Sequence, residues 1–453
     1  MRGRTFGAGL IAVGLGLAAC SSGSSGGSAS GGGTTTIKVA YQQFGEGKVM
    51  ANFLTSVKTQ FEAANPGKKI ELLPIVASEN DYYTKLALML RSPRTTPDLV
   101  YEDTFLINSD IQAGYLKPLD DYLASWADWS QFAATAKGAA KGTDGKTYGV
   151  PDGTDTRGLW YNKAVFAKAG LPAEWQPKTW DDVLTAARAI KTKVPDAVPL
   201  NDYASKAAGE GTSMQGFEML LYGTANQLYD ASSQKWVVGS KGFLDSLNFI
   251  KTVYGEKLGP SPQDATDAAL GNKVTQEWFP ANKIGIALDG SWLPNTWQPT
   301  GAKPWPQWAT ALGQAAMPTQ TGQAPGKVSL SGGWTWAIAS KSPNADLAWK
   351  FIQALQTPAN AAKYAVEGTQ IAVRSDVAGD ATYTTANAKT PVFTDVVSVT
   401  KYRPAYPEYP KISNQIQVAA ESVMTGQETP EQAQKAYDDA VKGIVGNDKT
   451  TTQ

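Results

Sequence analysis

The sequence predicts an α/β fold. Short apolar runs alternate with amphipathic segments from Ile37 onward, breakers and capping signals separate them, and residues 37–103 spell β-α-β-α-β. IKVAY at 37–41 reads as a first strand. A helix over about 50–64 follows and stops at Asn65-Pro66-Gly67. The second strand spans 70–76, and a second helix over 81–91 places Tyr83, Leu86 and Leu90 on one face. The third strand, 98–101, runs into a loop with Glu102 and Asp103; in such a unit ligands sit beyond the carboxyl ends of the strands. Further on, Thr179-Trp180-Asp181-Asp182 gives an N-cap and first-turn acids, and Ser342-Pro343 a cap with proline at the first helical position. Leu347, Phe351 and Leu355 then share a face, Thr429-Pro430-Glu431-Gln432 fits a capping box, and 284–288 reads as a buried strand.

A chain of 453 residues has room for two or three domains. Basic and acidic residues balance at 41 each, without a basic stripe, which argues against nucleic acid or an anionic membrane surface as the main partner. Histidine is absent, so Ser-His-Asp and Cys-His nucleophiles, HExxH zinc sites and histidine pH switches are excluded. The only cysteine is Cys20, which excludes an intrachain disulfide and a cysteine-based zinc site. No cofactor or metal is expected. Fourteen Trp, 18 Tyr and 13 Phe suit both aromatic cores and flat stacking surfaces for a ligand.

Arg2 and Arg4 precede an apolar run, 7–17, of signal-peptide length. It ends in Leu17-Ala18-Ala19-Cys20, which resembles the bacterial lipobox, where the cysteine is lipidated; an ordinary secretory leader with an incidental cysteine is the other reading. Residues 1–20 are therefore expected to be a lipoprotein signal peptide, and 21–36, nearly all Ser, Gly, Ala and Thr, a flexible linker. Gly23-Ser24-Ser25-Gly26-Gly27 matches G-x-S-x-G, but without a histidine or a strand–turn–helix context it is linker composition.

Seven stretches in order, "FEAANPGKKIEL", "TPDLVYEDTF…QAGYLKPLDDYL", "GKTYGVPDGTDTRGLWYNKAVFAKAGL", "PKTWDDVLTAARAIK", "NKIGIALDGSWLP", "SGGWTWAIASKSPNADLAWKFIQAL" and "YRPAYPEYPKISNQIQVAAESVMTGQETPEQA", resemble the sugar-binding proteins of ABC importers, of maltose and trehalose type. The resemblance implies a two-lobed periplasmic-binding-protein-like fold with a hinge and a ligand cleft between lobes. It implies no catalysis, a carbohydrate ligand, membrane permease subunits as partners, a monomer, and a place outside the cytoplasm on a lipid anchor. The expected division is 37–150 and 284–340 for lobe one, 151–283 and 341–445 for lobe two, and 446–453 as a C-terminal tail. Asn282 departs from the pattern, standing where the family usually has Gly.

A sugar presents hydroxyl rims and apolar faces, so its site needs carboxylates, amides or guanidiniums beside aromatic planes. By family position Asp103 is expected to accept ligand hydroxyls, with Glu102 beside it, although both could instead cap the next helix. Asp155 stands where relatives place a ligand carboxylate, and Arg157 could be its ion-pair partner instead. Trp292, Trp334 and Trp336 are expected at the cleft, with core packing as the alternative for each; Trp278 is a further candidate platform. Gly332 and Gly333 would let backbone approach a ligand. Arg374 matches a position that holds an Arg near the sugar, Arg403 is expected in lobe structure or at the cleft rim, and Gln43 and Glu46 are rim candidates. Two other readings stay open. One is the same receptor with a glycerophosphodiester or sugar-like phosphate, which would demand clustered Arg, Lys or helix N-termini. The other is a secreted carbohydrate-active hydrolase with two carboxylates; Ser232-Ser233-Gln234-Lys235 matches S-x-x-K but reads as a polar turn.

Overall fold

The structure, a computed structural model, describes residues 35–43 and 45–452. Cys20 and the leader lie outside the described residues. Two sheets organise the chain. The first has the order Lys68–Val76, Thr35–Gln43, Leu99–Asp103, Trp334–Ile338, Gly149–Pro151. Its first three strands are parallel, and the helices between them, Val49–Ala64 and Glu79–Arg91, complete the expected β-α-β-α-β unit. Thr35 and Thr36, expected in the linker, already pair with Lys68 and Lys69. Val49, Phe53, Leu54, Val57 and Phe61 form the buried stripe of the first helix, one to two turns apart as an amphipathic helix requires. Phe53, Leu54, Val57 and Phe61 share a core with Ile37, Val39, Trp336 and Phe351.

The second sheet has the order Leu312–Ala315, Arg157–Asn162, Ile284–Gly290, Val198–Asn201. Two parts of the expected lobe division are corrected by this pairing. The strand Ile284–Gly290, expected in lobe one, lies between Arg157–Asn162 and Val198–Asn201 and belongs to the second lobe. The helix Ala345–Leu355, expected in lobe two, buries Leu347, Phe351 and Leu355 in the first lobe's core. A buried apolar run fits either sheet, so local pattern does not assign it to one. The chain passes between lobes between Pro151 and Arg157, between Ser331 and Trp334, and again before Phe393, which stacks on Trp160 of the second lobe.

Capping signals are mostly met: Thr179 with Asp182 and Thr429 with Gln432 each form a complete capping box. Ser342 departs from expectation. Its hydroxyl donates to Asp98 Oδ1 at 2.5 Å, and the helix begins two residues later behind Asn344. Within the expected C-terminal tail, Thr450–Thr452 form a strand that pairs in parallel with Trp236–Val238. Asn282 has φ +56°, a conformation that Gly takes freely and Asn tolerates, and its side chain accepts from Asn162 Nδ2 at 3.0 Å. Ser232 and Ser233 donate to Asp230 in the turn of a hairpin, as a polar turn should.

Candidate functional site

Strand ends bring the chemistry to the seam between lobes. Asp103 closes the third strand, directly across from Trp334 at the start of its antiparallel neighbour. In the second sheet Arg157 opens a strand beside Gly290, where the adjacent strand ends. The Ser331–Trp334 crossing passes between them through Gly332 and Gly333. Gly333 has φ +131°, and a Cβ there would stand 2.7 Å from the Gly153 carbonyl, so only glycine fits.

Asp103 is held from both lobes. Tyr83 donates to its Oδ2 at 2.5 Å, and Arg403 Nη2 donates to Oδ1 at 2.9 Å. The same guanidinium reaches Glu210 Oε2 at 3.1 Å and lies 5.0 Å over the Phe105 ring. Glu210 opens the π-helical segment Gly211–Glu218 and also accepts from Ser413. Asp155 pairs with Arg157, as the alternative reading had it, and accepts from Gly332 N at 2.9 Å. Arg157 also donates to Gln215 Oε1 at 3.2 Å and lies 4.8 Å over the Trp292 ring. A Cβ on Gly332 would come within 3.3 Å of Arg403, 3.6 Å of Asp155 and 3.8 Å of Arg157, so both ion-pair groups converge on this glycine.

Burial unsettles several carboxyls here. Burial, and then the Asp103 charge, push Glu79 up to about 8, with Arg403 opposing. Glu218 is likewise pushed up to about 8 by burial, with the Tyr409 hydrogen bond opposing. Burial raises Glu210, and takes Asp289 to about 6 although it accepts from Gly290 N and the Tyr203 hydroxyl.

Of the residues expected at the cleft, the structure gathers Asp103, Asp155, Trp292, Gly333 and Trp334 at this seam. Trp334 is half-buried and stacks on Tyr101 at 4.9 Å and 8°. Trp336 shares that strand face, yet it lies one pleat deeper and is wholly buried in the first lobe's core, which corrects its expected place at the cleft. Glu102 is also corrected. Strand alternation turns it to the face opposite Asp103, where it is fully buried with its carboxyl against Asp110, and burial followed by Asp110 raises it well above the usual range. Arg374 is a third correction. Its donors are taken within the first lobe by Asp376 at 2.9 and 2.7 Å, Asp128 at 3.1 Å and the Gln356 carbonyl, and it packs over Phe132. Trp278 packs against the second-lobe cluster of Trp160, Phe279 and Trp297. Gln43 is buried and donates to the Gly45 carbonyl at 3.0 Å, while Glu46 is exposed. Glu79, Phe105 and Glu210 were not legible as site residues. No motif marks them, and Glu210 reaches Arg403 across 193 positions of sequence.

Two lobes of three-crossing topology, with charged and aromatic side chains meeting at strand ends between them, define a two-lobed ligand-binding protein. The chain belongs to the bacterial extracellular solute-binding proteins, whose family model matches residues 36–362. That family works outside the cytoplasm; among the described residues no helix is long and apolar enough to cross a membrane. A putative binding protein of Brucella abortus (strain 2308) is 26% identical over 382 residues, 84% of this chain and 86% of its own length. The sn-glycerol-3-phosphate-binding periplasmic protein UgpB of Agrobacterium fabrum is 36% identical over 83 residues, 18% of this chain and 19% of its own. Among solved structures, an ABC transporter solute-binding protein of Thermotoga lettingae TMO bound with α-D-tagatose aligns at TM-score 0.78 and 26% identity, covering 91% of this chain and 100% of that one. Maltose-bound MalE3 of T. maritima aligns at TM-score 0.75 and 20% identity, covering 90% of this chain and 100% of that one, and shares the fold.

Proposed function

We propose that the protein is a receptor that captures a disaccharide or oligosaccharide at the seam between its lobes and delivers it to an ABC importer, without chemistry of its own. The observation that supports this most is the meeting of Asp103, Asp155, Arg157 and Arg403 beside Trp334 and Trp292. Carboxylates and guanidiniums make paired hydrogen bonds to vicinal hydroxyls, and an indole face stacks on sugar C–H groups. Closure then follows from contacts the ligand makes with both lobes at once. Gln43 and Glu46 are left as rim contacts in this reading.

A glycerophosphodiester or sugar phosphate is the weaker reading, although the short UgpB match raises it. A phosphate needs guanidinium donors to spare, and here Arg403 already serves Asp103 and Glu210 while Arg157 serves Asp155. Cys20 fits a lipid anchor that would tether a monomeric receptor near its permease. Hydrolysis by a pair of carboxylates is the remaining alternative, and incubation of the pure protein with oligosaccharides tests it by product release. The main test is a thermal-shift screen across mono-, di- and oligosaccharides, amino acids and sn-glycerol 3-phosphate. A raised melting temperature with carbohydrates, lost in Asp103→Asn, supports the reading. A shift from glycerol 3-phosphate alone, or from no carbohydrate, overturns the sugar assignment.

A further inference from the structure

The lobes also touch far from their crossings. In the first sheet the strands beside the crossings, Trp334–Ile338 and Gly149–Pro151, lie at one edge, and Lys68–Val76 lies at the other. In the second sheet Val198–Asn201 is an edge strand, separated by Ile284–Gly290 from Arg157–Asn162, where a crossing arrives. The segments that follow these two far-edge strands meet. The Asn80 amide lies so close over Gly209 that a Cβ there would stand 2.5, 2.8 and 3.0 Å from its Nδ2, Oδ1 and Cγ. One strand further in, after Thr35–Gln43 and Ile284–Gly290, Lys48 N donates to the Thr300 carbonyl at 3.3 Å.

Neither side of the Asn80 contact is free to drift. Asn80 is the second residue of the helix Glu79–Arg91, whose first turn is capped by Ser78. Gly209 is buried and joins the 3-10 turn Lys206–Ala208 to Glu210 and the π-helix Gly211–Glu218. Its N–H donates to the Lys206 carbonyl and its own carbonyl accepts from Thr212 N, each at 3.0 Å. Its φ of +56° and ψ of −126° are taken without strain only by glycine, so a side chain at 209 would both strain this turn and strike Asn80. The gap between the two surfaces is therefore set by the angle between the lobes. When one rigid lobe rotates about the crossings, displacement grows with distance from the axis. A far-edge contact is lost at a small opening, while contacts beside the crossings persist.

We propose that Asn80 and Gly209 are positioning residues for capture, forming a latch at the mouth that draws the lobes together by protein surface alone. The contact runs from lobe to lobe without an intermediary, so it favours the closed form before any ligand is bound. A ligand that binds best between closed lobes then has less closing to drive. The proposal concerns closure and not what is captured, so it stands or falls apart from the carbohydrate reading. The test is pulsed electron–electron double resonance on ligand-free protein. Cys20→Ser removes the only cysteine, and spin labels are placed at Lys85→Cys and Lys251→Cys, exposed helical positions of the first and second lobe. The distances should divide into a short component, matching this structure, and a longer, open one. Asn80→Ala should lower the ratio of short to long about threefold, the scale of one modest polar contact. Asn80→Trp, too bulky to lie over Gly209, should remove the short component. Neither variant should move the denaturation midpoint, which a merely structural role of this exposed side chain would lower. A single open distance in the labelled protein with Asn80 intact, or a short component that either variant leaves unchanged, overturns the proposal.

Discussion

Arg374 and Arg403 are both nearly sealed from solvent, both pair with two carboxylates and both lie over a phenylalanine ring. They differ in where the partners sit. Asp128, Asp376 and Gln356 hold Arg374 wholly within the first lobe. Arg403 joins Asp103 of the first lobe to Glu210 of the second. Burial and pairing therefore say that a charge matters, and only the topology of its partners says whether it serves stability or motion. Arg374 staples segments of one rigid body. Arg403 spans the joint that must open and close.

Variants can break that contrast, beginning with the largest effects. Trp336→Ala removes a fully buried indole from the first lobe's core and should cost about 3–5 kcal/mol in denaturant unfolding. Trp334→Ala, on the same strand face but at the seam, should cost far less stability and instead weaken ligand binding in calorimetry. Arg374→Met should destabilise toward the lower end of the about 3–5 kcal/mol typical of a broken buried pair, because Asp128 and Asp376 keep partial access to water. Arg403→Met should leave each lobe folded, shift the scattering radius of gyration toward a more open form, and lower ligand affinity about tenfold or more. If Arg374→Met opened the lobes and Arg403→Met only lowered stability, the contrast would be reversed.

A smaller effect separates the carboxyls. Asp152 begins the first crossing, accepts from Gln356 Nε2 at 2.6 Å, and is pushed up to about 7 by burial. A carboxyl whose folded value lies above its unfolded one binds more protons when folded, so its contribution to stability falls as pH rises from about 4 to 7. Asp152→Asn should flatten that part of the stability profile, read as denaturation midpoints across pH. An unchanged slope would assign the pH dependence to Glu102 or the seam carboxyls instead.

Much of the architecture was legible because it is local. The β-α-β-α-β unit, the Thr179 N-cap, the Thr429 capping box and the face of Leu347, Phe351 and Leu355 follow from spacing over a few turns. The errors arise where position depends on distant partners. The apolar strand Ile284–Gly290 pairs with segments more than 80 residues away, and nothing in its own composition says which sheet it joins. Asp103 was readable at a strand end, but its neighbour Glu102 was not separable until strand alternation put the two on opposite faces. Trp334 and Trp336 show a finer limit. They share a face, and only depth under Tyr101 divides a side chain at the seam from one in the core. The Arg403–Glu210 link depends on a π-helical turn and on packing across lobes, neither of which leaves a periodic trace.

The most direct test of the seam as the ligand site is a crystal structure of the protein with the carbohydrate that raises its melting temperature most. Density for the sugar should lie between the lobes, stacked on Trp334 and within hydrogen-bond distance of Asp103, Asp155 or Arg403. Sugar density on either lobe's outer surface, with the Asp103–Arg403–Glu210 contacts undisturbed, would contradict it.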